Sequence, residues 1–188
     1  MDDLYFEKQY WNTCVNTFDE DQKHYVYAKY MGLTQEHYSF NVLGKRILDI
    51  GGGPSSMLLK CTNLKEGLVI DPIDFPQWTK DRYKIHNVSV KVDSGENVLE
   101  KDWDEVWIYN CLQHTHDPKR IIRNALDSGN IVRIFEWIDI PAHEGHPHEL
   151  TNDFLIDCFS NTSNKGYGTV DLTESGCYGR AFYGIFYK

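Results

Sequence analysis

The feature that most constrains the fold is a run of three glycines that directly follows a short apolar segment. Residues 46–60 read RILDIGGGPSSMLLK, with Asp49 just before Gly51, Gly52 and Gly53. The segment before the glycines predicts a buried strand, and the segment after them predicts a short helix. Glycines at such a junction allow a tight turn and let another group approach the backbone closely. The stretch therefore predicts either a binding turn or simply a tight strand-to-helix connection.

The rest of the chain continues this alternation of apolar and helical segments. Such alternation is typical of a parallel sheet covered on both faces. Two consecutive strands near the C-terminus, with Gly176 between them, predict an antiparallel pair. We therefore predict an α/β fold, namely a Rossmann-like, doubly wound, mostly parallel sheet with a C-terminal antiparallel hairpin. The predicted strands are 46–50, 67–70, 87–92, 105–109, 130–135, 167–172 and 180–187, and the predicted helices are 5–17, 20–31, 55–61, 118–126 and 150–159.

Composition excludes several classes of function. Lys and Arg number 19 against 28 Asp and Glu, a formal charge of -9, which disfavours DNA, RNA and other polyanions. No apolar stretch approaches membrane-spanning length, and the acidic, aromatic N-terminus is unlike a signal peptide. The five cysteines are scattered, which predicts reduced thiols and no cysteine zinc site. We expect a cytoplasmic protein that binds neither nucleic acid nor membrane.

Each predicted parallel strand ends in a polar residue. In open α/β sheets, ligands bind at the carboxyl ends of the strands, so these residues are expected to share one rim. A solvated rim would also be polar, and the site is predicted by all five residues occurring in order behind buried strands. These residues are Asp49, Asp71, Asp93, Asn110 and Glu136.

Two classes of ligand suit a glycine-rich turn with an acid at the end of the second strand. A dinucleotide would place its pyrophosphate over a G-x-G-x-x-G turn, but Ser56 stands where the third glycine belongs. Pro54 also removes an N–H group that would hold the phosphates. S-adenosylmethionine has no phosphate and needs a carboxylate just before the glycines for its amino group, where Asp49 stands. The residues favour S-adenosylmethionine, and Asp71 would accept from ribose hydroxyls with either ligand.

Four segments resemble the motifs of class I S-adenosylmethionine-dependent methyltransferases of the small-molecule type. The first two motifs are similar to LDIGGGPSS and VIDP, and the adenine-contacting turn is similar to VDSGENV. The fourth strand and its continuation resemble DEVWIYNCLQHTHDPKRIIRNAL. The resemblance spans roughly residues 46–140, with the motifs in order and at normal spacing.

The resemblance implies S-adenosylmethionine as cofactor and a role for each matching residue. Asp49 and residues 51–53 would hold the methionine part, and Asp71 the ribose. Asp93, with its turn neighbours, would contact adenine, and Asn110 the amino acid end. The implied cofactor-binding residues are Asp49, Gly51, Gly52, Gly53, Asp71, Asp93, Ser94, Glu96 and Asn110.

Structural roles remain open for some of these residues. Asp93 suits a turn before Ser94 as well as it suits an adenine contact. Asn110 also suits a helix N-cap. The chain departs from the family pattern at Pro54, which stiffens the turn, and at Ser55, where a further glycine is common.

The acceptor side offers several candidate bases. His114 follows the fourth strand where the resembling enzymes carry a histidine beside the methyl donor, and Glu136 is predicted to point into the cleft. His143, His146 and His148 follow the fifth strand without a zinc-binding helix spacing, so no metal is predicted. We predict His114 as the catalytic base, with Glu136 second.

The sequence predicts one domain, 1–188, in which a helical cap or lid, 1–44, precedes a cofactor-binding core, 45–188. The cap would either shape an acceptor pocket or only cover the sheet. The leading function is methyl transfer to a small-molecule acceptor, since the strand-four sequence NCLQ lacks the signature of amino-directed DNA methylation. The alternative is a non-catalytic or regulatory S-adenosylmethionine-binding protein. Monomer and homodimer both remain open.

Overall fold

The apolar segments form a seven-stranded sheet in the computed structural model, which describes residues 4–175 and 179–188. A second, three-stranded sheet consists of the strands Gln35–Glu36, Ser39–Asn41 and Cys61–Thr62. In chain order the strands are β1 (Gln35–Glu36), β2 (Ser39–Asn41), β3 (Arg46–Ile50), β4 (Cys61–Thr62), β5 (Glu66–Asp71), β6 (Val88–Val92), β7 (Trp103–Tyr109), β8 (Gly129–Trp137), β9 (Ser163–Asp171) and β10 (Arg180–Tyr187).

The order of the large sheet is β6-β5-β3-β7-β8-β10-β9. The first five strands in that order run parallel, and β10 lies antiparallel between β8 and β9. The predicted doubly wound sheet with a C-terminal antiparallel pair is therefore confirmed. Gly176 and Cys177 lie outside the described residues.

Five α-helices and several short 3-10 turns complete the described chain. The 3-10 turns of Met57–Lys60, Gly95–Asn97 and Leu112–His114 follow the ends of β3, β6 and β7. The helices are α1 (Tyr5–Tyr10), α2 (Cys14–Tyr30), α3 (Gln77–Ile85), α4 (Pro118–Ser128) and α5 (Asn152–Cys158).

The N-terminal helices divide at a different place from the one predicted. Thr13 caps α2, because its side chain accepts a hydrogen bond from the Asn16 amide at 3.2 Å. The predicted break between helices 5–17 and 20–31 is wrong, since α2 continues through it. Glu20 is buried on the inner side of that helix.

Two apolar layers enclose the sheet. On one face, Ile121, Ile122 and Ala125 of α4 and Leu155 of α5 are buried against the strands. On the other face, α2 packs on the sheet through Tyr27 and α3 through Tyr83, and both of these aromatic side chains are fully buried. The layers leave the carboxyl ends of the parallel strands for a site.

Three connections differ from the sequence prediction. The predicted helix at 55–61 is wrong, since only the 3-10 turn Met57–Lys60 forms before β4. Helix α3 was not predicted, because its sequence QWTKDRYKI has no apolar stripe and exposes Trp78 and Ile85. The hairpin of β1 and β2 is too short to leave an alternating pattern.

No helix among the described residues is long and apolar enough to cross a membrane. The cysteines of the described chain, Cys14, Cys61, Cys111 and Cys158, carry free thiols.

Candidate active site

Asp49 lies deepest at the rim where the parallel strands end. It is the fourth residue of β3 and is fully buried. Its Oδ2 accepts a hydrogen bond from the Ser56 hydroxyl and another from the Tyr109 hydroxyl, the latter at 2.6 Å. Its Oδ1 has no hydrogen-bond partner among the described residues. A buried carboxylate oxygen without a donor is costly, which suits a ligand that supplies a donor.

The surroundings of Asp49 place its titration in the physiological range. Burial raises the pKa of Asp49 to about 7, and the charge of Asp71 adds to the increase. The hydrogen bonds from Ser56 and Tyr109 act in the opposite direction. A cation placed beside Oδ1 would favour the ionised carboxylate and lower this pKa.

Gly51 and Gly52 are required by their neighbours within the chain. Gly51 has a φ of +77°, and a Cβ there would lie 2.6 Å from the Cβ of Cys111. A Cβ on Gly52 would lie 2.5 Å from Oδ2 of Asp49. Close internal packing therefore accounts for these two glycines in this conformation, and Gly52 lets the Asp49 carboxylate fit under the turn.

Gly53 faces a side chain from the N-terminal cap. Its φ is +61°, and a Cβ on it would lie 3.0 Å from the indole ring of Trp11. Residues 52–56 are buried, so the turn is covered. Trp11 directly follows α1 and occupies one approach to the turn.

Asp71 ends β5 and braces the same turn. Its Oδ2 accepts from the Gly53 amide at 3.0 Å, and its Oδ1 accepts from the Ile73 amide at 2.9 Å. Burial raises the pKa of Asp71 to about 6, and the nearby charge of Glu7 also raises it. Each carboxylate oxygen keeps further acceptor capacity for a ligand hydroxyl.

The turn after β6 joins Asp93, Ser94 and Glu96. Asp93 is half-buried and accepts from the Ser94 amide at 2.8 Å. Ser94 donates its hydroxyl to the carboxylate of Glu96. Glu96 also accepts from the amides of His116 and Asp117 at 2.9 and 3.1 Å, so it ties this turn to the start of α4. Asp93 also receives Lys91 and Asn97, each at 3.1 Å, so the carboxylates of this turn all have partners within the chain.

Asn110 follows β7 with a left-handed backbone, at a φ of +48°. Strained positions of this kind in non-glycine residues cluster at functional sites. Its Nδ2 donates to Oε1 of Glu20 at 2.9 Å, and the Tyr27 hydroxyl donates to the same oxygen at 2.9 Å. Helix α2 is thus joined to the strand end through a buried carboxylate.

His114 ends the 3-10 turn after β7 and meets α1. Its Nδ1 lies 2.8 Å from Oε1 of Glu7 and 2.8 Å from the carbonyl oxygen of Gly145. Its Nε2 lies 3.4 Å from the side-chain nitrogen, Nε2, of Gln113. Burial by itself lowers the pKa of His114, but Glu7 and the Gly145 carbonyl raise it, and the net shift is upward.

A cavity of about 280 Å³ lies between the cap, the end of β7 and the loop after β8. It adjoins the glycine turn, because Trp11 lines the cavity and also packs on Gly53. Asn110 and His114 are among its lining residues. Its aromatic walls are Phe6, Tyr10, Trp11 and Trp137, and its ionisable lining includes Glu7, Lys23, His114, His143, Glu144 and His146.

Two of the three loop histidines reach this cavity. The His146 ring centroid lies 4.4 Å from that of His114 and 4.3 Å from that of His143. Burial, then the nearby His114 and His143, lower the pKa of His146 to about 4. His148 instead lies with its Nε2 3.1 Å from the His116 carbonyl oxygen. Within residues 4–175 and 179–188, no group of three or more ligating side chains is arranged to hold a metal ion.

Glu136 does not point into the cleft, contrary to the sequence prediction. It is fully buried, and its oxygens accept from the amides of Cys111 and Leu112 at 3.1 to 3.2 Å. Burial raises its pKa to about 7. Because backbone amides occupy both oxygens, Glu136 supports the turn that carries His114.

Sequence reasoning missed Glu7, Trp11 and Glu20, all contributed by the cap. Glu20 would have been found by extending α2 back to its Thr13 cap, which places Glu20 and Tyr27 on one helix face. Glu7 and Trp11 leave no local signal, because their partners His114 and Gly53 are distant in the sequence.

Comparisons with known proteins indicate the fold. No family model and no curated protein matches the sequence. Among solved structures, a Burkholderia thailandensis 1,6-didemethyltoxoflavin-N1-methyltransferase has a TM-score of 0.64 at 14% identity, over 98% of this chain and 84% of that one. It contains bound 1,6-didemethyltoxoflavin and S-adenosylhomocysteine.

Two further structures have the same fold. A possible histamine N-methyltransferase from Thermotoga maritima has a TM-score of 0.62 at 14% identity, over 93% of this chain and 96% of that one. The [4+2]-cyclase SpnF has a TM-score of 0.62 at 14% identity, over 89% and 80%. The chain therefore has the class I fold of S-adenosylmethionine-dependent methyltransferases, and the resemblance predicted from its motifs is confirmed at the level of the fold.

Proposed function

We propose that this chain binds S-adenosylmethionine at the ends of β3, β5 and β7 and methylates a small acceptor held in the adjoining cavity. The observation that carries this function is Oδ1 of Asp49, which is buried beside the glycine turn and has no hydrogen-bond partner within residues 4–175 and 179–188. The amino group of S-adenosylmethionine is a cationic donor that would satisfy that oxygen. The residues present therefore fit the cofactor.

The remaining rim residues suit the other parts of the same cofactor. Asp71 would accept from the ribose hydroxyls, and Asp93 with Ser94 would meet the adenine. Asn110 would contact the amino acid end. When bound, the cofactor supplies an activated methyl group, and the chain supplies alignment, exclusion of water and a proton acceptor.

The cavity favours a compact, planar acceptor that carries an O–H or N–H group. Its volume of about 280 Å³ lies near the low end for ligand pockets, and its aromatic walls suit a ring. His114 lines the cavity and would take the proton that the acceptor loses.

A non-catalytic or regulatory S-adenosylmethionine-binding protein remains the second candidate. The turn at residues 52–56 is buried, and Trp11 packs on Gly53. Both features restrict the access of a ligand to the site, which supports this candidate. The fold also occurs in a [4+2]-cyclase, so fold alone does not determine the reaction.

Calorimetry with S-adenosylhomocysteine tests the cofactor. Asp71→Ala should weaken binding by about tenfold or more, because hydrogen bonds to a charged acceptor contribute about 1.5–3 kcal/mol. Asp74→Ala removes a nearby carboxylate whose partner is Lys80 on the surface, and it should bind like wild type. Equal affinity in wild type and Asp71→Ala would remove Asp71 from the site, and tight NAD binding without S-adenosylhomocysteine binding would refute the cofactor.

A turnover screen then separates the two candidate functions. The protein is incubated with S-adenosylmethionine and a panel of phenols and N–H heteroaromatic compounds, and release of S-adenosylhomocysteine is measured. Acceptor-dependent release that falls roughly a hundredfold in His114→Ala, with cofactor affinity retained, supports catalysis. Binding without release across the panel favours the regulatory protein.

A further inference from the structure

Glu7 is the carboxylate that contacts the proposed base. It lies on α1, far from His114 in the sequence, yet its Oε1 is 2.8 Å from Nδ1 of His114. Burial raises the pKa of Glu7, but the hydrogen bond and charge of His114 outweigh it, and the net shift is downward. Glu7 is therefore ionised at neutral pH beside the imidazole.

The contacts around His114 determine which ring nitrogen carries the proton. Nδ1 faces two acceptors, the Glu7 carboxylate and the Gly145 carbonyl, both at 2.8 Å. Nε2 of His114 lies 3.4 Å from the side-chain nitrogen of Gln113, which is a hydrogen-bond donor. Nδ1 thus keeps its hydrogen in both charge states, and Nε2 is the nitrogen that gains and loses a proton.

Among the groups that face His114, Glu7 is the charged one that contacts the ring directly. From the loop, His146 has a lowered pKa and is neutral at pH 7. From β8, Glu136 accepts hydrogen bonds from the backbone amides of Cys111 and Leu112, and its charge adds a smaller upward contribution to the pKa of His114. From the turn itself, Gln113 is uncharged.

Helix α1 lies against the site through Phe6, Glu7 and the residue that follows the helix, Trp11. None of its residues is fully buried. Phe6 packs against Gly145, whose Cβ would lie 3.3 Å from the Cβ of Phe6, and Trp11 packs on Gly53. The same docking of α1 therefore covers the glycine turn and brings Glu7 to His114.

We propose that Glu7 is the positioning residue for His114: it holds the hydrogen on Nδ1 and directs Nε2 to act as base, so that docking of α1 completes the base. The catalytic use of this base rests on the proposed methyl transfer, whereas the protonation state of His114 does not.

Histidine NMR on the full-length, ¹⁵N-labelled protein measures that state without an acceptor. Signals of His114 are assigned by their loss in His114→Asn. In wild type we expect the Nδ1–H form when His114 is neutral. In Glu7→Gln, which keeps the shape but removes the charge, the pKa of His114 should fall, and Glu7→Asp should restore part of the difference. Glu144→Gln, a carboxylate of the same cavity without a contact to His114, should leave that pKa unchanged.

Three results would overturn the assignment or its link to α1. An Nε2–H form in wild type would refute the role of Glu7 in holding Nδ1–H. An unchanged pKa of His114 in Glu7→Gln, with a native amide spectrum, would refute the charge effect. An unchanged pKa in Phe6→Ala, which loosens α1 without altering Glu7, would refute the dependence on docking. Failure of wild type to bind S-adenosylhomocysteine would refute the cofactor but leave the Glu7–His114 pair intact.

Discussion

Binding of S-adenosylhomocysteine should strengthen with pH because Asp49 must ionise to receive the ligand's amino group. The pKa of Asp49 is raised to about 7 by burial, so the free protein holds this carboxyl partly protonated at neutral pH. A cation beside Oδ1 favours the ionised form, so the ligand lowers the pKa and expels a proton. Affinity is therefore reduced below the free-state pKa and levels off above it.

The expected size follows from the ionised fraction. With a pKa of about 7, that fraction is roughly 0.9 at pH 8 and roughly 0.1 at pH 6. Affinity should fall about tenfold between these values, which is about 1.4 kcal/mol. Asp71, with a pKa of about 6, adds a smaller decrease at the lower end.

Calorimetry in two buffers of different ionisation enthalpy measures affinity and proton release together. At pH 7 the wild type should release about half a proton from Asp49 on binding. Asp49→Asn should bind more weakly and lose most of the pH dependence. Asp93→Asn is the matched control and should keep the pH dependence of the wild type. Hydrogen bonds, first that from Asn97, keep the pKa of Asp93 low, so this group stays ionised from pH 6 to 8. A flat profile in wild type, or an unchanged slope in Asp49→Asn, would show that the amino group does not meet Asp49.

Two stability predictions concern the frame of the site. Gly51→Ala should destabilise the fold more than Gly44→Ala in urea unfolding, since both have a φ near +77° but only Gly51 has Cys111 within 3 Å of the added Cβ. The backbone strain alone costs about 1–2 kcal/mol at either position. Equal destabilisation by the two variants would show that the contact with Cys111 has no energetic effect. Glu105→Gln should lower the free energy of unfolding by about 3 kcal/mol, because Arg133 and Lys45 lose a buried partner. The control Glu66→Gln, on the surface, should leave the free energy of unfolding unchanged. An unchanged free energy of unfolding in Glu105→Gln would contradict the prediction.

The strands at the centre of the sheet, β3, β5, β7 and β8, were predictable because they are largely buried on both faces. Strands β3 and β10 match their predicted ranges, and the other parallel strands differ by one or two residues at their ends. Continuous apolar segments record burial directly in the sequence. Helix α3 records nothing comparable, since it buries only Thr79 and Tyr83 and is otherwise polar.

The site was predictable only as far as the strand ends. Strand order brings Asp49, Asp71 and Asn110 to one rim, and the motif order indicated this. The direction of each side chain depends on tertiary packing, which is why Glu136 was placed wrongly and why Glu7 was missed. The cap contributes through contacts between distant segments, and no local pattern encodes them.

The buried carboxylates distinguish structural roles from ligand binding by how completely their oxygens are satisfied. Glu105 receives Lys45, Arg133 and the Trp107 indole, and its pKa is lowered to about 2, since these partners outweigh burial. Glu136 is also buried, but both its oxygens accept hydrogen bonds from a backbone amide. Asp49 bears the same burial and keeps one oxygen unpartnered within the described chain. Without a ligand, this unsatisfied oxygen costs the folded protein free energy. A cationic donor that binds at the glycine turn removes that cost.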